Sequence, residues 1–136
     1  MTPYAVLAHL KDTLAILPGV VSCKIGLEAN VTAADYPLIR IVPTRMMPQD
    51  AGAARRRIQV TIYFGAKLLE SLEGLEAVYE ALLTLEGQIR DAVLLTAVQT
   101  ARAQREHLRA EYLDTITDED RLKHYKLMAC RFEVES

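Results

Sequence analysis

The sequence predicts an α+β fold: a single domain over residues 1–136, with an antiparallel sheet of about four strands and two helices packed on one face. Three observations carry this. Residues 58–64 alternate strictly, with Ile58, Val60, Ile62 and Phe64 on one side and Gln59, Thr61 and Tyr63 on the other. Residues 128–134 alternate in the same way, with Met128, Cys130, Phe132 and Val134 in phase. Between them, Leu72, Leu75, Val78, Leu82, Leu85, Ile89 and Val93 recur every three or four positions, the spacing of a long amphipathic helix. Half-buried antiparallel strands and a one-sided helix bury their apolar faces best against each other.

The remaining elements follow in order. Thr2 and Pro3 are an N-cap and a first-turn proline, and Val6, Leu7, Leu10, Leu14 and Leu17 continue at helical spacing until Pro18 and Gly19 stop the helix. Residues 20–27 have the β-branched content of a strand, and a firmer strand spans 38–42. Pro43 cannot donate to a ladder, so that strand either ends there or lies at a sheet edge. Residues 44–55 lack periodicity and contain Pro48, Asp50 and Gly52, which reads as a loop. Ser71 can cap the long helix, although residues 67–69 can begin it earlier. Gly74 and Gly87 within it mark either close approach of another backbone or simple tolerance. Residues 97–113 suit a helical continuation or a strand, and a strand over about 103–113 is preferred. The acidic run 114–120 reads as a solvated connector. The predicted order is α-β-β-α-β-β.

Composition limits the function classes. The 136 residues are 51% apolar and 25% charged with net charge −2, as in an ordinary globular domain and without the strong basic excess of a dedicated DNA binder. Two domains would leave about 70 residues each, without the staples that such small units need. No apolar run approaches the ~18 residues of a membrane span. Lys11 and Asp12 interrupt the N-terminal apolar stretch, so a signal peptide is not expected and a cytoplasmic origin is. Cys23 and Cys130, both in apolar alternating segments, read as buried thiols rather than a disulfide or metal site.

Catalytic signatures are missing. His9 falls on the polar side of the first helix. His107 and His124 could meet on neighbouring strands, but no CxxC, HxxxH or HExxH spacing occurs, and neither does GxSxG or a glycine-rich phosphate loop. No catalytic, cofactor-binding or metal-ligating residue is therefore assigned, no cofactor is expected, and an enzyme is disfavoured. The loop is the feature with binding chemistry. Met46 and Met47 offer deformable apolar contact, or lie tucked beneath the loop; Arg55, Arg56 and Arg57 can grip carboxylates or phosphates, or simply form a solvated strand entry.

The order of these elements resembles the tail terminator (tail completion) proteins of lambda-type long-tailed bacteriophages. The residues that carry the resemblance are DYPLIRIV at 35–42, RRIQVTIYF at 56–64, the long helix, and KLMACRFEVE at 126–135. The resemblance covers almost the whole chain as an architectural pattern, while residues 98–111 and the acidic run extend beyond it. It implies a structural virion protein, assembled in the host cytoplasm and located in the tail. Such proteins form hexameric rings that cap the tail tube, stop its polymerisation and offer a surface for head attachment. The implied partners are further copies of the chain, the tail tube protein and the head–tail connector, with no membrane and no nucleic acid beyond DNA passing through the ring. Tyr63, Tyr112 and Tyr125 are then candidate subunit anchors, and Met46, Met47, Arg55, Arg56 and Arg57 the candidate partner-contact loop. The alternatives are a head–tail joining or stopper protein and, from another class, a nucleic-acid-binding regulator using Arg55–Arg57 with Arg102, Arg105 and Arg109.

Overall fold

The computed structural model describes residues 2–28, 30–48, 56–68, 74–104, 108–122 and 125–135. The element order is α1 (Pro3–Ala15), β1 (Ser22–Ile25), a 3-10 turn (Ala33–Asp35), β2 (Leu38–Pro48), β3 (Arg56–Lys67), α2 (Gly74–Gln104), β4 (Arg109–Leu122) and β5 (Tyr125–Glu135). The α+β class and two-helix layer are as expected. The sheet has five strands in the order β1-β2-β3-β5-β4, one more than the predicted α-β-β-α-β-β count, because three strands rather than two precede α2: the segments at 20–27, 38–42 and 58–64 all enter the sheet.

Strand β3 is central. It pairs antiparallel with β2 on one side and with β5 on the other, and Ile58, Val60, Ile62 and Phe64 are fully buried beneath the helices. Val78, Leu82, Leu85, Ile89 and Val93 of α2, with Val6, Leu7, Leu10 and Leu14 of α1, close the same core. The α1 N-terminus forms as its sequence dictates: Thr2 Oγ1 accepts from the Ala5 N–H at 3.1 Å, with proline in the first turn. Leu75, assigned to the buried stripe of α2, is instead 45% exposed. It lies in the first turn of the helix, one turn before the buried stripe begins at Val78.

Three departures have physical causes. First, the sheet is mixed, because β1 runs parallel to β2, with Ser22 opposite Leu38 and Ile25 opposite Ile41. A parallel pair needs a return of roughly a dozen residues. Segment 26–37 supplies it, leaving β1 at Gly26 (φ +89°) and folding into the 3-10 turn.

Second, β2 does not stop at Pro43 but runs to Pro48, so residues 44–48 are strand rather than loop. Pro43 sits at the register shift opposite Val60, beyond the end of β1, where β2 is itself the sheet edge and the missing N–H costs no ladder bond. Arg56 and Arg57 likewise belong to β3. The rest of the predicted loop, including Arg55, lies outside the described residues, as does the Ser71 cap.

Third, the preferred strand over 103–113 is displaced. Helix α2 continues to Gln104, and β4 begins at Arg109 and takes in the acidic run 114–120. A register shift between Tyr112 and Asp114 leaves Leu113 as the extra residue. It turns Asp114 to the outer face, where its carboxylate takes Arg131, and Thr115 to the helix side. The Asp114 charge is tolerated because β4 is an edge strand.

Two glycines behave oppositely. A Cβ on Gly87 would meet nothing within 4 Å, so simple tolerance is the correct reading there. A Cβ on Gly65 would lie 2.9 Å from the Lys126 carbonyl oxygen and 2.9 Å from the Tyr36 ring. Gly87→Ala should therefore raise stability by about 0.5–1 kcal/mol, while Gly65→Ala should lower it; chemical denaturation reads both signs. Leu82, 1% exposed at the centre of the core, should cost about 2–5 kcal/mol when cut to alanine. A wild-type melting temperature for Leu82→Ala would contradict the packing of α2.

Candidate functional site

The sheet face opposite the helices carries the polar chemistry. Leu38 and Arg40 of β2, Arg57, Gln59, Thr61 and Tyr63 of β3, Ala129, Arg131 and Glu133 of β5, and Glu111 and Asp114 of β4 share this outer face by register. Much of it is tied internally. Arg131 Nε donates to Asp114 Oδ1 at 2.6 Å, and Arg57 Nη1 donates to Glu133 Oε1 at 3.1 Å. Thr44, the bulge residue of β2, donates its hydroxyl to the Gln59 carbonyl at 3.0 Å.

The most constrained group is Arg40, fully buried although its face is the outer one. The segment 26–37 folds over it. Arg40 Nη2 donates to Glu28 Oε1 at 2.6 Å and Nε to the same oxygen at 3.1 Å. Nη1 donates to Ser22 Oγ at 3.0 Å and to the Ile39 carbonyl at 2.9 Å. Ser22 Oγ in turn donates to the Asp35 carbonyl at 2.8 Å. One guanidinium thus holds β1, β2 and the crossover segment together. Arg40 holds the Glu28 carboxyl below the usual carboxylate range, the Thr32 backbone N–H does so for Asp35, and Arg131 does so for Asp114. The sequence signal for Arg40 was a lone charge in an apolar strand; nothing in the sequence singled out Glu28.

A second polar cluster lies between α2 and the sheet. Thr115 donates to Glu86 Oε1 at 3.1 Å and sits 2.6 Å from the Tyr112 hydroxyl and 3.5 Å from Cys130 Sγ. Arg90 pairs with Glu86 and stacks 5.3 Å over the Tyr112 ring, which also meets Phe132 edge-on at 5.7 Å. This is packing chemistry: burial pushes the Cys130 thiol up to about 12 and the half-buried Cys23 thiol up to about 11, so neither is a nucleophile near neutral pH. Both cysteines are free thiols, and among the described residues no group of three or more potential metal ligands comes together. His9 is half-buried on α1, whereas His107 and His124 lie outside the described residues.

The predicted contact residues are dispersed. Met46 is 45% exposed opposite Ile58, and Met47 is half-buried opposite Arg57. Arg57 is engaged with Glu133; the side chain of Arg56 and all of Arg55 fall outside the described set. Tyr63 is half-buried on the outer face between Arg40 and Ala129. Tyr112 faces the helix layer with both ring and hydroxyl occupied, and the Tyr125 side chain is not among those described. Tyr63 and Tyr112 therefore lie on opposite faces and cannot form one patch. An apolar groove of about 510 Å³ runs between α2 and the α1–β1 turn, lined by residues such as Pro18, Val20, Ala66, Ala81 and Leu85. Among the described residues no helix is long and apolar enough to cross a membrane.

The three depressed carboxyls set a pH dependence. Their contribution is complete above the unfolded carboxylate range and is lost as pH falls through their lower folded values. Melting temperature should therefore hold steady near neutrality and fall below about pH 4. Glu28→Gln should lower it at neutral pH and flatten part of the acid decline, read by calorimetry across pH.

No family model matches the chain, and no curated protein matches it in sequence.

Proposed function

We propose that this chain is a structural virion protein of the tail-terminator type, a ring-forming subunit that caps the tail tube and presents a surface for head attachment. The observation that carries the reading is the order of elements around the quoted segments. Residues 35–42 lead from the 3-10 turn into β2, 56–64 form the body of β3, the long helix follows, and 126–135 form β5. These are the stretches on which the resemblance rests, and they build the centre of the fold rather than its periphery.

The polar groups support binding rather than catalysis. Arg40, Arg57 and Arg131 of the outer face each hold a carboxylate, and burial raises both thiols well above neutral pH. The head–tail joining alternative asks for the same surfaces. The nucleic-acid reading gains nothing from Arg57 and Arg131, whose guanidinium groups already hold carboxylates.

The exposed contact surface is the far end of β2. Beyond Ile41 that strand is a sheet edge, and Arg45 and Met46 stand exposed on it. In the phage or prophage that encodes the chain, the double variant Arg45→Ser with Met46→Ser should melt as the wild type does, since exposed substitutions shift stability by about 0.5 kcal/mol or less. It should nonetheless reduce infectious particles at least about tenfold, a loss of affinity that removal of one good contact accounts for. Electron micrographs should then show overlong tails and unjoined heads. Deleting the whole gene and still obtaining tails of normal length, joined to heads, would overturn the terminator reading. Normal particle yield from the double variant alone would move the contact elsewhere.

A further inference from the structure

We propose that copies of this chain join head to tail by sheet extension, the β1 edge of one copy pairing antiparallel with the β4 edge of the next, with Lys24 set against Glu111. The proposal rests on the ring reading above and names the interface that would close the ring.

Strand direction supplies the first argument. β1 and β2 run together, β3 opposes them, β5 opposes β3, and β4 opposes β5. The two edges of the sheet therefore run in opposite directions. A copy placed beside another by rotation about an axis along the strands brings β1 against β4 antiparallel, with both helix layers on the same side. Heterologous contacts of this kind close into rings when the rotation permits. Both edges present backbone donors and acceptors with no strand beside them among the described residues, the condition that favours strand addition.

Charge supplies the second. On the outer face of β1, Lys24 stands directly across from Arg40, and both cations lean on the one carboxylate of Glu28, at 3.5 and 2.6 Å. On the outer face of β4, Glu111 stands directly across from Glu133, whose carboxylate holds Arg57. Like charges directly opposite destabilise a strand pair. One edge thus carries a surplus cation and the other a surplus anion, both on the same face of the sheet. Setting Lys24 opposite Glu111 also brings Cys23 opposite Tyr112 and Ile25 opposite Ala110, all four on the helix side, so the core would continue from copy to copy.

Exposed apolar side chains supply the third. Val21, beside β1, is 60% exposed, and Leu113 and Ile116 of β4 are each 38% exposed. Counted outward from Lys24 and Glu111, this register brings Val21 to the level of Leu113 and Asp114, so the added strand would lie along this exposed apolar surface.

The test uses the full chain in solution. Light scattering should find a closed oligomer across micromolar concentrations. Lys24→Glu and Glu111→Lys should each weaken association about tenfold, through like-charge contact at every interface, and the double swap should restore it. Circular dichroism confirms that each variant folds. Amide hydrogen exchange should show 22–25 and 109–116 protected in the oligomer and fast in the dissociated variants. The pairing is overturned by a double variant that fails to recover, by an oligomer whose β1 and β4 amides exchange freely, by a dimer protected on β4 alone, or by a wild type that stays monomeric. An oligomer indifferent to all three variants removes this interface and leaves the ring standing. The tail reading itself is decided separately, by tail length and head joining in the particle assay.

Discussion

Strand β3 places Ile58, Val60, Ile62 and Phe64 on one face, all fully buried, and a slip of one residue in its pairing would turn all four toward the outer face. That constraint sets the register of both neighbours. With Ile62 held against Ile41 and Cys130, Thr61 must lie between Val42 and Arg131, and Tyr63 between Arg40 and Ala129. The outer face is thus a consequence of the inner one. Arg131 meets Asp114 directly across the ladder, Arg57 reaches Glu133 one pair along the diagonal, and Arg40 takes Glu28 from the crossover segment.

Arg40 shows what this costs and what it gains. Burying a guanidinium is unfavourable unless its donors are satisfied, and here Glu28, Ser22 and the Ile39 carbonyl satisfy them. In return, the short parallel strand β1 and the crossover segment are fixed to β2 by more than the four backbone pairs of their ladder. On the outer face, three arginines are thereby held by carboxylates: Arg40 by Glu28, Arg57 by Glu133 and Arg131 by Asp114. The unbalanced charge is left at the two edges, on Lys24 and Glu111.

Periodicity made the core legible. The alternating strands β3 and β5, the stripe of α2 from Val78 to Val93, and the capped helix α1 were all readable, because each pattern reports directly which side chains leave water. The polar contacts were less so. Which face Tyr112 takes depends on the phase of β4, which turns its ring toward α2, and that phase is reset at Leu113 and again between Ile116 and Asp120. A run such as DTITDED carries no apolar alternation, so its strand state followed only from having β5 beside it.

By itself, then, the sequence determined the α+β class, the two-helix layer and the face of β3 that is buried, since those depend on local spacing and hydrophobicity. The tertiary structure decided the parallel placement of β1, the extension of β2 past Pro43, the strand state of 114–120 and the Arg40–Glu28 pair. Each of these depends on a partner distant in the chain. Backbone groups need a ladder and buried charges need counter-charges, and which segment supplies them is settled only when the sheet assembles.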